Sequence, residues 1–261
     1  MYAEHFGFKD NPFSIAPDPR FVYMSPFHQE ALGHLLYGTN EDGGFVQLTG
    51  EVGTGKTTLI RTLLEQQMPD VDVALTLNPR LTVHEFLASV CDELQVDYPR
   101  DSETLKPLID ALNAHLLRTH AEGRRTVLII DEAQNLSRDV LEQIRLLTNL
   151  ETNRAKLLRI MLVGQPELRD MLAREDLRQL AQRITARYHL GSLSREQTRA
   201  FVEHRLKVVG GYPGIFTPSA LVELQRLSRG VPRLINVICD RALMGAYSQS
   251  KNQVDRHILR Q

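Results

Sequence analysis

Short apolar runs alternate with amphipathic helical patterns through the middle of the chain, and this alternation predicts a sheet covered by helices. The run at 126–130 is almost continuously apolar, which is typical of a parallel strand buried on both faces. Further strands are predicted at 45–48, 71–77, 157–163 and 186–190, and helices at 57–67, 82–94, 103–119 and 137–150. We therefore expect a three-layer α/β domain with a five-stranded parallel sheet over residues 41–192.

After this domain only helical patterns remain. Ser194-Arg-Glu-Gln197 is a capping box, and Thr217-Pro218 is an N-cap followed by proline at the first helical position. A last helix is expected after the motif that runs from Gly230 to Asn236. These signals predict a small all-helical domain over residues 193–261, and the polar stretch from Ser248 onward is expected to be a frayed or a truncated end.

Composition narrows the class of protein. A chain of 261 residues with 42% hydrophobic residues can bury a core, and its length suits two domains. Its 31 basic and 32 acidic residues nearly cancel, which excludes a strongly basic protein that coats nucleic acid but leaves a local basic patch open.

Neither a zinc site nor a disulfide framework is predicted. Cys91 and Cys239 are not part of a paired motif, and the histidines, like the acidic residues other than Asp131 and Glu132, show no metal-ligand spacing. The sequence shows no signal peptide, and no apolar run approaches about 18 residues, so we expect a cytoplasmic protein without a membrane span.

The first predicted strand leads into the stretch with the clearest chemistry. Gly50-Glu-Val-Gly-Thr-Gly-Lys56-Thr57 follows the pattern G-x-x-x-x-G-K-[ST] between a strand and a helix. Its glycines let backbone N–H groups face inward as an anion nest, where Lys56 reaches the β and γ phosphates and the Thr57 hydroxyl ligates Mg²⁺. Nucleotide contacts are predicted at Gly50, Val52, Gly53, Thr54, Gly55, Lys56, Thr57 and Thr58.

Two alternatives accompany this prediction. For Thr58, opening the helix is the simpler role. A glycine-rich turn without a ligand is the alternative for the whole stretch, and it requires the motif and both flanking elements to coincide by chance.

Polar residues follow two of the other predicted strands. Asp131 and Glu132 come directly after the run at 126–130, at the strand end where ligands bind in open α/β sheets. Asp131 is expected to hold Mg²⁺ through water, and Glu132 to orient and activate the attacking water. Gln165, after the fourth strand, is expected to sense the γ phosphate or position the water, with a polar turn residue as the alternative.

The N-terminal segment, residues 1–40, is rich in aromatic residues and proline. Its prolines exclude a long helix until the apolar spacing that begins at Ala31. We expect this segment to cover the nucleotide site, with Phe13 as a candidate wall for adenine. Burial in a core is the plainer interpretation of its phenylalanines.

These motifs together resemble those of the AAA+ ATPases, in which a P-loop nucleotide domain is followed by a helical lid. Within that superfamily, F-G-F-K-D-N-P-F near the start, D-E-A-Q-N-L, L-V-G-Q-P-E-L and G-V-P-R-L-I-N resemble the ExeA/GspA family. The resemblance covers essentially the whole chain. It implies ATP and Mg²⁺ as ligands, ATP hydrolysis by a homo-oligomer in a ring or filament, and an inner-membrane partner protein in an envelope secretion system.

The resemblance also implies roles by position. It places Walker A at 50–57, Walker B at Asp131 and Glu132, sensor 1 at Gln165, the arginine finger at Arg183 and sensor 2 at Arg233. Sensor 1 is more often asparagine in the superfamily, and Arg187 is a nearby competitor for the arginine finger. A surface ion pair is the alternative for each arginine.

Proteins of the ExeA kind continue into a transmembrane helix and a peptidoglycan-binding region, so the resemblance implies either an excised cytoplasmic portion or a shorter relative. Alternatives are an ATPase of a pilus or exopolysaccharide system, a nucleotide switch, and an ATP-dependent DNA-binding regulator of the TniB/TnsC transposition type. The DNA alternative would use arginines at 118, 124, 125, 138, 145, 154 and 159, for which a solvated charged surface is the plainer interpretation. ATP rather than GTP rests on the resemblance alone.

Overall fold

The chain folds into two compact units. The computed structural model describes residues 2–16, 18–39, 44–66, 68–77, 80–101, 104–151 and 155–261. The sheet unit comprises 30–50 and 59–190, and the helical unit comprises the residues up to 29, 51–58 and 191–261. Each unit has its own cluster of buried apolar side chains.

The sheet unit is built on parallel strands. Within the described residues these are β1 Phe45–Gly50, β2 Val71–Thr76, β3 Arg125–Ile130, β4 Leu158–Gly164 and β5 Ile184–Leu190. They form one sheet in the order β2-β3-β4-β1-β5, and every neighbouring pair is parallel. The carboxyl ends of the strands therefore share one edge, and the predicted five-stranded parallel sheet is confirmed.

Helices connect the strands and build the helical unit. The α-helices are α1 Tyr2–His5, α2 Pro26–Thr39, α3 Lys56–Glu65, α4 Val83–Glu93, α5 Lys106–Ala121, α6 Arg138–Leu147, α7 Glu167–Leu172, α8 Arg178–Ala181, α9 Arg195–Val208, α10 Pro218–Ser228 and α11 Pro232–Ser248. Short 3₁₀ turns lie at Pro19–Phe21, Ala133–Asn135, Glu175–Leu177, Pro213–Ile215 and Ile258–Arg260. Among the described helices, none is long and apolar enough to cross a membrane.

Local sequence explains where several helices begin. In the capping boxes Thr82–Glu85 and Ser194–Gln197, the first side chain accepts from the fourth backbone N–H and the fourth side chain accepts from the first. Thr217 caps α10 ahead of a proline. The predicted caps at Ser194 and Thr217 are confirmed, whereas Gln67 and Glu103, the predicted ends of two helices, lie outside the described residues.

Both faces of the sheet are covered. On β3, Leu128 and Ile130 belong to a buried cluster with α4, α5 and α6, while Val127 and Ile129 are equally buried outside that cluster. Successive side chains of a strand point to opposite faces, so the second pair lies on the other face. There α2 packs so closely that a Cβ at Gly38 would come within 2.5 Å of a β1 side chain. The sheet is therefore the middle of three layers, as predicted.

The part of the N-terminal segment up to residue 29 belongs to the helical unit, and several of its apolar side chains lie in the core of that unit. Phe13 is 1% exposed, and its ring meets another phenylalanine edge to face with 5.9 Å between centroids. Arg205 of α9 donates to the carbonyl oxygens of Pro12 and Ser14, both at 3.0 Å. We expected residues 1–40 to form a separate segment over the nucleotide site. Instead, apolar side chains from the start of this segment are buried together with those of the C-terminal helices. Phe13 is a core residue and has no exposed ring face to offer adenine.

The stretch after Ser248 is packed, so the prediction that it frays is wrong. Val254 is fully buried. Its backbone N–H donates to the Ile215 carbonyl at 2.7 Å, and its carbonyl accepts from the Thr217 N–H at 3.0 Å. Ile258 is also buried, at 4% exposure.

Ion pairs with a buried carboxylate explain the polar character of this stretch. Glu223 of α10 is 1% exposed and accepts from Arg226, Arg256 and Arg260. Hydrogen bonds from Arg226 and then Arg260 lower the pKa of Glu223 to about 2. Arg256 and Arg260, near the end of the chain, thus pair with a carboxylate that is buried in the helical unit.

A glycine fixes the entry into α11. Gly230 has φ +75°, and a Cβ there would lie 2.0 Å from the Leu193 carbonyl oxygen. The Leu193 N–H donates to the Gly230 carbonyl at 2.8 Å. The last helix was predicted to begin after the motif at 230–236, but it begins within that motif, at Pro232. Proline is favourable at the first position of a helix.

Candidate nucleotide site

The loop between β1 and α3 has the backbone conformation that its glycines permit. Gly53 and Gly55 have φ of +83° and +105°, values that other residues rarely adopt. The Thr54 N–H and hydroxyl both donate to the Glu51 carbonyl, at 3.3 and 2.9 Å, which closes a tight turn. Val52 lies on this turn and is 53% exposed.

Neighbouring groups leave no space for side chains at two of the glycines. A Cβ at Gly53 would lie 2.6 Å from the Cβ of Arg233, and one at Gly55 would lie 2.9 Å from Nε2 of His28. The loop is therefore packed against the start of α11 and against the start of α2. Sequence reasoning missed His28, since nothing in its local sequence marks it as a neighbour of the loop.

Lys56 is the first residue of α3 and is only 6% exposed. Its ammonium donates to the Glu51 carbonyl at 3.0 Å. Thr57 and Thr58 follow in the first turn of the helix and are exposed. The helix begins two residues before Thr58, so that residue does not open it.

Arg233 lies at the second position of α11 with an exposed side chain. Its backbone N–H donates to the Gly53 carbonyl at 3.2 Å. The structure thus brings the predicted sensor 2 position and the predicted Walker A loop together within the helical unit.

The two carboxylates follow β3 directly. Asp131 is 3% exposed, and its backbone N–H donates to the Thr76 carbonyl at 2.9 Å, which continues the pairing with β2. One Asp131 carboxylate oxygen accepts from the Glu132 N–H at 2.9 Å. Glu132 has φ +53°, a left-handed conformation that is uncommon for a residue with a side chain.

Two amides hold the Glu132 carboxylate. Gln134 and Gln165 each donate a side-chain N–H to Glu132 Oε2, at 2.6 and 3.1 Å. Gln134 Oε1 also accepts the backbone N–H of Gln165 at 3.0 Å. Gly164 is required here, because a Cβ would lie 2.7 Å from Gln134 Oε1. Sequence reasoning identified Gln165 but missed Gln134. The available signal was position: Gln165 directly follows Gly164, and Gln134 lies two residues after Glu132.

The two candidate arginine fingers differ in their surroundings. Arg183 donates to the Arg145 carbonyl at 3.1 Å, to Asn149 Oδ1 at 2.7 Å and to the Thr148 hydroxyl, so it caps the C-terminus of α6. Arg187 lies on β5 with an exposed side chain and donates to the Ala181 carbonyl at 2.5 Å.

The residues present suit a magnesium nucleotide. The loop offers backbone N–H groups and an ammonium, and Thr57 and Asp131 carry the oxygen ligands that Mg²⁺ prefers. The loop residues belong to the helical unit, whereas Asp131, Glu132, Gln165 and Arg183 belong to the sheet unit.

Comparison with protein families supports the same assignment. A family model described as AAA domain matches residues 39–172. The chain is 54% identical over 254 residues to general secretion pathway protein A of Aeromonas hydrophila, an alignment that covers 97% of this chain and 46% of the relative. The chain therefore spans about half the length of that relative.

Solved structures share the fold. The ORC1 protein of Aeropyrum pernix in complex with DNA gives a TM-score of 0.70 at 16% identity over 97% of this chain and 68% of that one. Cdc6p of Pyrobaculum aerophilum gives 0.69 at 18% identity over 94% and 68%. The RuvB branch migration motor of Thermotoga maritima gives 0.56 at 17% identity over 89% and 66%.

Proposed function

Because the chain belongs to the AAA family, and within it to the ExeA/GspA family, we propose that it binds ATP with Mg²⁺ and hydrolyses it to ADP and phosphate. The loop between β1 and α3 supports this most strongly, since Gly53 and Gly55 have positive φ and Lys56 opens the helix. Backbone N–H groups in such a loop bind anions, and the start of a helix adds positive potential. A polyphosphate is the ligand that suits this arrangement.

Lys56 supplies the charge of the loop. We expect its ammonium to leave the Glu51 carbonyl for phosphate oxygens, because a charged donor binds an anion more strongly than a neutral carbonyl. The Thr57 hydroxyl and the Asp131 carboxylate would hold Mg²⁺. When bound, Mg²⁺ neutralises charge that develops on the phosphates.

Glu132 is the proposed general base. Two amide donors hold its Oε2, so the carboxylate has a fixed direction. A carboxylate fixed in this way can orient a water and accept its proton. Gln165 would sense the γ phosphate from the same network.

Arginines would make hydrolysis depend on assembly and on the lid. Arg233 is proposed to bind the γ phosphate from the helical unit, and Arg183, with Arg187 as its competitor, to act in the site of a neighbouring copy. An arginine supplied in trans is worth about 10³ to 10⁵ in rate, so an isolated subunit would turn over slowly.

Phosphate release from ATP in the presence of Mg²⁺ tests the proposal. Lys56→Ala should weaken nucleotide binding about 10- to 100-fold, because a charged hydrogen bond is lost. Glu132→Gln should bind nucleotide normally but lose turnover by roughly 10² or more, because the general base is gone. Glu51→Gln is the matched control, since Lys56 donates to the backbone carbonyl of Glu51, which this substitution keeps. Normal turnover in Glu132→Gln would refute its role as the base.

The cellular role is proposed from the relative. General secretion pathway protein A is named for secretion, and we propose that this chain serves assembly of an envelope secretion complex from the cytoplasmic side, with an inner-membrane partner. Affinity purification from native membranes should recover an envelope protein only with the nucleotide-loaded chain. Recovery of pilus or exopolysaccharide components would redirect the assignment to those systems.

A DNA-binding role is supported less well. Four of the arginines that would serve it make contacts within the sheet unit: Arg124 pairs with Asp72, Arg138 with Asp176 and Arg145 with Glu142, and Arg125 donates to the Thr39 carbonyl. Arg159 is 4% exposed, and Arg154 lies outside the described residues. Salt-sensitive DNA binding that requires ATP would favour this alternative.

A further inference from the structure

His28 makes a hydrogen bond to the backbone of the loop. It lies in the first turn of α2, is 5% exposed, and places Nε2 2.9 Å from the Thr54 carbonyl oxygen. Its Nδ1 lies 2.6 Å from the hydroxyl of Ser25, which is fully buried. A carbonyl only accepts, so the proton must be on Nε2.

The charge state of the ring agrees with this assignment. Burial lowers the pKa of His28, which keeps the imidazole neutral at neutral pH. Nδ1 of the neutral ring then accepts from the Ser25 hydroxyl. The Ser25 oxygen also accepts from the His28 backbone N–H at 3.3 Å, so Ser25 fixes both the helix start and the ring.

The bond to Thr54 sets the direction of a peptide group. In a planar trans peptide the C=O and the following N–H point in opposite directions. A Thr54 carbonyl directed at His28 therefore directs the Gly55 N–H away from it. Glycine leaves the backbone on either side unusually free to rotate, so this direction needs an external contact.

We infer that His28 is a positioning residue of the phosphate loop: its ring holds the Thr54 carbonyl, and so presents the Gly55 N–H to the nucleotide phosphates. The inference rests on the proposed nucleotide binding. Arg233 acts on the preceding carbonyl in the same way through its backbone N–H. Both carbonyls are held from outside the loop, so the backbone around Gly55 is fixed before an anion binds to its N–H.

Two substitutions distinguish the hydrogen bond from His28 to the Thr54 carbonyl from the packing of the His28 ring. In His28→Gln the side-chain amide N is as many bonds from Cβ as Nε2, so it can still donate to Thr54. In His28→Asn the amide reaches only the Nδ1 position. We expect His28→Asn to bind an ATP analogue roughly 3- to 10-fold more weakly with little change in kcat, and His28→Gln to bind within about 2-fold of the wild type.

His5→Asn is the control, because His5 makes a similar ring-to-carbonyl contact with Lys251 at 3.1 Å elsewhere in the helical unit. Its affinity for nucleotide should be unchanged. Equal affinity in His28→Asn and the wild type would overturn the inference, and so would an equal loss in His28→Asn and His28→Gln.

A measurement without nucleotide keeps this inference distinct from the proposed function. The ¹⁵N shifts of His28 should show a neutral ring protonated at Nε2 at pH 7. A charged ring or the Nδ1–H tautomer would refute the inference even if nucleotide binds. Failure of the wild type to bind any nucleotide, with the expected tautomer present, would instead refute the proposed function and with it the role of His28 toward phosphate.

Discussion

Glu132 adopts a backbone conformation that a non-glycine residue holds only when its surroundings enforce it, at a cost of about 1 kcal/mol or more. The enforcing contacts are the Asp131 carboxylate on its N–H and the amides of Gln134 and Gln165 on its side chain. Strain of this kind is common where a reacting group must be aimed. If Glu132 is the base, as proposed, Gln134 acts through it as a positioning residue.

Replacing Gln134 with leucine tests this assignment. Gln134→Leu should lower kcat roughly 3- to 10-fold with little change in KM, because one hydrogen bond that orients the base is lost while phosphate binding is not touched. Steady-state phosphate release measured over a range of MgATP concentrations provides both constants.

A double-mutant cycle serves as the control for Gln134→Leu. Gln134 and Gln165 share one acceptor, so the effects of Gln134→Leu and Gln165→Leu on kcat should not add. Strict additivity, or a change in KM alone, would contradict a joint role in orienting Glu132.

Single residues could be predicted from sequence where one contiguous motif fixes them. Lys56 and Asp131 are identified by immediate neighbours along the chain. His28 and Gln134 have near partners in Ser25 and Glu132, but His28 also contacts Thr54, 26 positions away, and Gln134 also contacts the Gln165 backbone, 31 positions away. Such contacts exist only once the fold has formed, so no spacing rule reports them.

At the scale of elements, burial decides which sequence patterns were reliable. Strand β3 is continuously apolar from Val127 to Ile130 because both faces of the sheet are covered, and such a run is typical of buried parallel strands. The polar pattern at the end of the chain was misleading, because two of its arginines, Arg256 and Arg260, form ion pairs with the buried Glu223. In the sequence these arginines resemble part of a solvated tail, although the segment that carries them is packed.

The entry into α11 provides a stability prediction. Gly230→Ala should destabilise the protein by about 1 to 3 kcal/mol, since φ is +75° and the new Cβ would overlap the Leu193 carbonyl. Gly33→Ala is the matched control: Gly33 lies inside α2 with nothing within 4 Å of its added Cβ. That control should be neutral or stabilising by up to about 1 kcal/mol. Denaturant midpoints measure both, and equal midpoints for the two variants would contradict the overlap.

At the scale of the whole molecule, an arginine finger supplied by a neighbouring copy, as proposed, would make ATP hydrolysis depend on assembly. Arg183 already caps α6 in its own chain, so its transfer to a neighbouring site would release the contacts with Arg145 and Asn149. Arg187 gives up one carbonyl contact. Arg183→Ala should therefore lower both the melting temperature and turnover, whereas Arg187→Ala should leave the melting temperature unchanged.

Mixing two inactive variants tests supply in trans. Arg183→Ala keeps its own Glu132, and Glu132→Gln keeps its own arginine, so mixed assemblies should regain turnover. Specific activity of the wild type should also rise with protein concentration. Recovery with Arg187→Ala instead would assign the finger to Arg187, and no recovery with constant specific activity would exclude a finger supplied by a neighbour.

The core of the helical unit also determines the order in which the chain can fold during synthesis. Tyr2, Phe8 and Phe13 are buried with residues as late as Leu259, whereas the described cluster of the sheet unit ends at Ile184. The sheet can thus form while the ribosome is still making the C-terminal helices. These three aromatic residues leave the ribosome before the sheet does, yet they are buried only after the C-terminal helices have followed, and until then they are an apolar surface that a chaperone can bind.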